Sequence, residues 1–336
     1  MIPFSILDLA TIFEGSDAGQ ALRNTLETAQ LAEQLGYHRY WLAEHHNMPT
    51  VASAATAVVI GQVAAVTRTL RVGSGGVMLP NHAPLVIAEQ FGTLEALFPG
   101  RIDLGLGRAP GTDMRTARAL RRDLLGSVDR FPQDVLELQA YFDDPAPGQA
   151  VQAVPGAGLK VPLWLLGSST YSAQLAARLG LPFAFASHFA PAQALQALQL
   201  YRSLFQPSAQ LQRPYAMVAV NAVVADSDAQ AQHLSTSLQQ TFLNLARGQV
   251  RPVPAPVDDL GPLSESEKAA LQAVTEFSAI GSPQTVRRQL EGIIRLTAAD
   301  EIMSTVHIFD REARLYSLEL LSRVREAMAA DSASIR

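Results

Sequence analysis

The chain has 336 residues, 48% of them hydrophobic and 17% charged, with a formal net charge of −5 and no cysteine. That is enough apolar material for a large core and too little charge for disorder, and the missing thiols exclude disulfides, thiolate metal sites and cysteine nucleophiles. Lysine is nearly absent and the arginines are scattered, so no basic stripe exists to follow a phosphate backbone, which excludes nucleic acid as a partner.

The opening MIPFSILDLATIFEGSD has no positive start and carries Asp8 inside its short apolar run, so residues 4–9 read as a strand rather than a signal peptide. Residues 17–35 follow a helix period through Leu22, Leu26, Ala29, Ala32 and Leu35, with Asp17 to cap the start and Gly36 to end it. YHRYWLAE (37–44) is a second strand, stopping abruptly at Glu44, His45 and His46. A helix over about 53–67, a glycine-rich strand at 70–79, a helix from Pro84 to Leu97 and a fourth strand at 101–107 come next. Helical segments near 112–121 and 132–142 lead into a Pro/Gly/Ala excursion at about 144–160.

The rhythm repeats with strands at 161–167, 181–187 and 215–226, each followed by a helix: 170–179, 191–204 and 227–246. After an irregular stretch at 248–267 come helices at about 265–277 and 283–297, an eighth strand at 301–309 and a last helix at 311–329. The longest apolar run, ASAATAVVIGQVAAV, is shorter than the ~20 residues a membrane span needs and contains Gln62, so the expectation is a cytoplasmic protein with no membrane association. Eight strands, each followed by a helix, predict one α/β domain over 1–336: a (β/α)8 TIM barrel with insertions.

Barrel chemistry sits at the C-terminal strand ends. His45, His46, His82, His188 and His307 fall at or just beyond such ends, as do Asp8, Glu44, Arg108 and Asp310. Strand ends collect polar residues in any case, but five imidazoles on one rim favour a pocket. A metal is not expected: neighbouring side chains on a strand point to opposite faces, and neither an H-E-x-x-H nor an H-x-H pattern is present. His45 is better read as an acid–base or hydrogen-bonding imidazole oriented by a carboxylate such as Glu44, with a purely structural rim as the alternative.

GSGGV (73–77) and GLGRAPG (105–111) do not fit G-x-G-x-x-G; they allow close approach of a flat ligand, or serve only as tight turns. Arg108 in the second suits a phosphate or a carboxylate. LLGSSTYS brings Gly167, Ser168, Ser169 and Ser172 to the opening of a helix, which makes either an anion site or an ordinary cap. With Arg108 on the adjacent strand, the pair reads as a phosphate clamp for a phosphorylated cofactor. The helix over 53–67 is apolar nearly all round, so it either lies under an insertion or packs against a second subunit, and the second reading, a homodimer, is the expectation.

With these residues in place, the chain resembles the bacterial luciferase-like flavin monooxygenase family. The resemblance runs through WLAEHHNMP, RVGSGGVMLPNHAPLVIAEQFGTLEALFPGRIDLGLGRAPGTD, PLWLLGSSTYSAQLAARLGLPFAFASHF and GSPQTVRRQL. It implies a (β/α)8 barrel that uses reduced FMN, supplied as a dissociable co-substrate by a separate flavin reductase, with molecular oxygen and a small organic substrate. It implies His45 as the catalytic imidazole beside Glu44, Arg108 as the phosphate-binding arginine, and Ser168, Ser169 and Ser172 as the hydroxyl cluster. It also implies a flavin ring lying against Gly75 and Gly76, a non-prolyl cis peptide between those two, and a mobile lid at about 248–267. Nothing in the match reports the aldehyde pocket of the long luciferases, and the chain is more similar to the single-subunit members. Deazaflavin-dependent hydride transfer on the same barrel and non-enzymatic flavin binding remain as alternatives.

Overall fold

The protein is described by a computed structural model covering residues 2–109, 114–120 and 129–334. Its strands are β1 (Phe4–Asp8), β2 (Arg39–Leu42), β3 (Arg71–Met78), β4 (Ile102–Gly107), β5 (Leu163–Gly167), β6 (Phe183–Phe185), β7 (Ala216–Val224), β8 (Ser278–Gly281) and β9 (Glu301–Thr305). All pairings between these strands are parallel. All of them except β8 close into a ring, with β9 between β7 and β1 and with β6 joined to β7. This is a closed eight-stranded (β/α)8 barrel.

The helices are α1 (Ala18–Gln34), α2 (Thr56–Val66), α3 (Pro84–Leu97), α4 (Met114–Leu120), α5 (Phe131–Phe142), α6 (Thr170–Leu179), α7 (Ala194–Leu204), α8 (Asp228–Ala246), α9 (Glu265–Thr275), α10 (Pro283–Thr297) and α11 (Arg311–Ser334). The punctuation read from the sequence operates as expected. Asp17 Oδ1 accepts from the Gln20 amide at 2.7 Å at the start of α1, and Gly36 takes φ +70° beyond its end. Pro84 opens α3, where its missing N–H costs nothing.

Alternation along the strands divides the core in two. Outward residues such as Val218, Val220 and Ala222 of β7 pack beneath the helices in a large cluster with Phe91, Phe131, Phe183 and Ile302. Inward residues form a smaller cluster inside the ring, with Leu7, Trp41, Trp164, Met217 and Met303. Burial of each such side chain stabilises by about 1.5–3 kcal/mol before entropy is counted.

Two expectations need correction. The helix expected over 265–277 ends at Thr275, and residues 278–281 form the additional strand β8, paired in register with Asn221–Val224 at the outer end of β7. Four residues are too few to show a period of two, so no strand signal was legible there. The helix expected at 112–121 is present as α4, but positions 112, 113 and 121 lie outside the described residues. The excursion at 144–160 carries neither helix nor strand and contains a cis Val154–Pro155 bond. No helix among the described residues is long and apolar enough to cross a membrane.

Candidate active site

At the C-terminal ends of the strands lies a cavity of about 510 Å³. Its walls include His45 after β2, Gly75 and Gly76 in β3, Arg108 after β4, Gly167, Ser168, Ser169 and Ser172 at the β5–α6 junction, and His188 and His307. Every residue expected to bind the cofactor therefore lines one space. Glu44 does not.

The local chain path explains these positions. The Gly75–Gly76 bond is cis, and β3 changes register against β4 between Ser74 and Val77. A Cβ at Gly76 would stand 2.7 Å from the Gly105 carbonyl oxygen, so no side chain fits where the two strands approach. Ser169 occupies the N-cap of α6 in extended conformation, yet its hydroxyl makes no capping hydrogen bond. It therefore faces a helix start with its oxygen uncommitted, beside the positive end of the helix dipole. The Arg108 guanidinium lies 4.0 Å from the Tyr171 ring centroid and forms no ion pair with a described carboxylate.

Three of the five rim histidines face the cavity. Burial holds His45 below the ordinary imidazole range; Glu44 pulls its pKa up and His46 pushes it down. Burial, aided by His307 and His45, pushes His188 down to about 3. His307 falls to about 4, again chiefly through burial, with Asp8 opposing and Arg314 reinforcing the shift. All three are neutral at pH 7. The Nδ1 atoms of His45 and His188 are buried and have no hydrogen-bond partner among the described residues. A buried polar atom left unpaired costs about 1–3 kcal/mol, so such atoms mark places kept for a ligand or water.

The other two histidines correct an expectation. Glu44 Oε1 accepts from His46 Nε2 and His82 Nε2, each at 2.8 Å, and Glu44 Oε2 accepts from the Met78 amide at 3.2 Å. Beyond β2 the side chains continue to alternate. The alternation that turns His46 away from His45 turns Glu44 away with it, so Glu44 makes no hydrogen bond to His45 and acts on it only through its charge. Burial disfavours the Glu44 carboxylate, but the bonds from His82, His46 and the Met78 amide outweigh it and hold its pKa below the usual range. The ligand atoms of Glu44, His46 and His82 lie within 4.8 Å of one another, a grouping of a kind that can hold a metal ion. The sequence did not reveal it because His82 comes from the turn after β3.

Asp8, also on the rim by sequence, is committed elsewhere: it accepts from Tyr40 Oη at 2.5 Å and Thr25 Oγ1 at 2.7 Å. Trp41 is buried in the inner core and also lines the cavity, edge-on to Trp164 at 5.1 Å. Sequence reading overlooked Asn221, a polar residue within the apolar strand AMVAVNAVV. Its Nδ2 donates to the His188 carbonyl at 2.6 Å and its Oδ1 accepts from Thr305 Oγ1 at 2.8 Å, which fixes the turn that carries His188. It also overlooked Arg251 and Asn244, which line the cavity from the segment after α8 and from α8 itself.

The barrel floor contrasts with this. Arg39 donates from Nε to Glu301 Oε1 at 3.0 Å and from Nη1 to Asp103 Oδ2 at 2.7 Å. Arg71 Nη2 donates to Asp103 Oδ1 at 2.5 Å, and Tyr215 Oη donates to Glu301 Oε2 at 2.8 Å. Burial disfavours the Asp103 carboxylate, but Arg39 and Arg71 together keep its pKa below the ordinary range.

Comparison with known proteins adds to this geometry. The family model described as luciferase-like monooxygenase matches residues 2–300. A protein named luciferase-like monooxygenase from Escherichia coli K12 is 58% identical over 328 residues, covering 97% of this chain and 98% of its own. Among solved structures, apo-MsnO8 superposes with a TM-score of 0.90 at 36% identity, covering 97% of this chain and 99% of its own. The oxygenating constituent of 3,6-diketocamphane monooxygenase from Pseudomonas putida, solved with FMN, shares the fold at a TM-score of 0.69 and 16% identity, covering 96% of each chain.

Proposed function

The chain belongs to the luciferase-like monooxygenase family, and from that premise we propose that it is a flavin-dependent monooxygenase using reduced FMN, delivered by a separate flavin reductase, to oxygenate a small organic substrate. The observation that carries the reading is the single cavity in which Gly75, Gly76, Arg108, Ser168, Ser169 and His45 meet.

The residues fit the group. Arg108 and the hydroxyls of Ser168 and Ser169 form an anion clamp at the α6 start, with no carboxylate among the described cavity-lining residues to oppose a phosphate. Gly75 and Gly76 offer backbone where a flat ring can approach. Reduced FMN supplies the electrons that activate molecular oxygen. His45, neutral and unpartnered at Nδ1, can accept a proton or donate a hydrogen bond beside the reacting atoms. The apolar walls exclude water from that event. Of the segment expected as a lid at about 248–267, Gln249, Val250, Arg251 and Val253 line the cavity, which supports reading it as the lid. Exposed Val58 on α2 and Val86 on α3 suit cover by a second copy, in keeping with a homodimer.

The test is oxygen consumption with reductase-generated FMN, read beside equilibrium FMN binding. His45→Ala is expected to lower turnover by about a hundredfold while FMN affinity stays nearly unchanged. Arg108→Ala is expected to weaken FMN binding by roughly tenfold. Equal loss of turnover and binding in His45→Ala would remove the proton role from His45, and tight binding of deazaflavin with none of FMN would overturn the cofactor.

A further inference from the structure

The cavity has a second donor-rich end that the cofactor clamp does not use. Arg251 Nη2 donates to Asn244 Oδ1 at 3.2 Å, and both residues line the cavity. Asn244 is only 5% exposed, and its Nδ2 is buried with no hydrogen-bond partner among the described residues. An amide that spends its oxygen on a guanidinium and leaves its N–H donors free presents those donors in the same region as the cation.

Topology separates this pair from Arg108. The segment carrying Arg251 is tied to the chain after β1: Val253 bridges to Phe13, its amide donates to the Ile12 carbonyl at 3.0 Å, and its carbonyl accepts from the Glu14 amide at 2.9 Å. In the eight-strand ring, β1 is four strands from β5 in either direction. Ser168 and Ser169 follow β5, so the two donor clusters stand on opposite rims of one space. The rest of the lining is mainly apolar and includes Met217, Leu238 and Phe242. The chain as a whole is net negative, yet no carboxylate is among the described residues that line this cavity. Both ends thus favour anions.

We propose that Arg251 and Asn244 form a carboxylate subsite, and that the substrate class is an organic acid with an apolar body. Its carboxylate sits at Arg251 and its body lies along the apolar lining. The proposal deepens the flavin reading by assigning the Arg108 end to the cofactor phosphate and the Arg251 end to the substrate. A guanidinium fork engages a carboxylate with two parallel hydrogen bonds, and the free Asn244 amide supplies a third donor.

The test compares 4-phenylbutyrate with its neutral isostere 4-phenylbutanamide by calorimetric titration of the full chain, without and then with FMN. The acid is expected to bind about tenfold more tightly than the amide. Arg251→Ala should remove that preference and leave amide affinity unchanged. Asn244→Asp, which places a carboxylate beside the guanidinium, should do the same. Arg108→Ala should leave acid binding intact while weakening FMN. Equal affinity for acid and amide in the unaltered chain overturns the proposal, as does loss of the acid preference in Arg108→Ala rather than Arg251→Ala. Absence of FMN binding in the unaltered chain, with the acid preference and its loss in Arg251→Ala preserved, would overturn the flavin reading and leave the carboxylate subsite standing.

Discussion

The two ends of the barrel bury polar groups by opposite rules. At the floor, Arg39, Arg71 and Glu301 are the first residues of their strands and Asp103 the second of β4, and each charge meets an opposite one within 3.0 Å. At the mouth, His45, His188 and His307 are half-buried, yet desolvation leaves them uncharged and two of them hold a buried nitrogen with no hydrogen-bond partner among the described residues. The paired end fixes the ring of strands. The unpaired end forgoes hydrogen bonds to keep donors and acceptors for something else. Burial alone therefore does not distinguish structure from chemistry here, and partnership does.

The largest effect expected from this contrast is on stability. Asp103→Ala leaves two buried or half-buried guanidinium groups, Arg39 and Arg71, without their shared carboxylate. Removing one partner of a buried pair costs about 3–5 kcal/mol. His45→Ala removes a side chain bordering an existing cavity and no hydrogen bond at its buried nitrogen, so it should cost about 1 kcal/mol or less. Urea unfolding of both variants checks the difference, and comparable losses would erase the distinction between the ends.

Acid sharpens the same comparison because the two ends respond over different ranges. His188 and His307 have folded-state pKa values of about 3 and about 4 against an ordinary 6.5. Between those values the unfolded chain binds protons that the folded chain refuses. Stability is therefore full above pH 6.5 and declines as the pH falls toward 4. At pH 5 each histidine should account for roughly 2 kcal/mol of the loss relative to pH 7. Asp103 has its pKa lowered, so its contribution is present above the ordinary carboxylate range and is lost only as the pH falls below it. Unfolding free energies at pH 7 and pH 5 for the unaltered chain and for His188→Asn test this. If the substitution leaves the slope between the two pH values intact, His188 is not the buried neutral base described.

The barrel was legible in the sequence because most ring strands are apolar runs and most helices have a period, a cap or a proline at their start. Pro84–Leu97 and Thr170–Leu179 came out with their observed boundaries. The rim residues were legible through the rule that strand ends face the pocket. What stayed hidden depended on chain segments meeting at a distance. Asn244 and Arg251 belong to a helix and a segment whose placement over β1 is set by the Phe13–Val253 bridge, which no periodicity encodes. Asn221 did leave a trace, as the one polar residue in its strand.

Glu44 bears on the boundary between the two rules, since it is charged and paired like the floor yet sits one residue from the mouth. Its side chain is 2% exposed and holds His46, His82 and the Met78 amide at once, so it fixes the turn that presents His45 and the end of β3 that follows Gly75 and Gly76. Glu44→Gln keeps the size but loses the charge, and its amide would meet a donor it cannot accept from. The two imidazoles and the Met78 amide then compete for a single carbonyl oxygen. Because the Glu44 charge pulls the His45 pKa upward, its removal should move the acidic limb of the turnover profile to lower pH, with only a fewfold loss at the optimum. A pH–rate series on the variant distinguishes this from a merely structural role. Loss of turnover with an unmoved acidic limb would mean that Glu44 acts on the backbone alone, and that the field at the mouth is set by the histidines themselves.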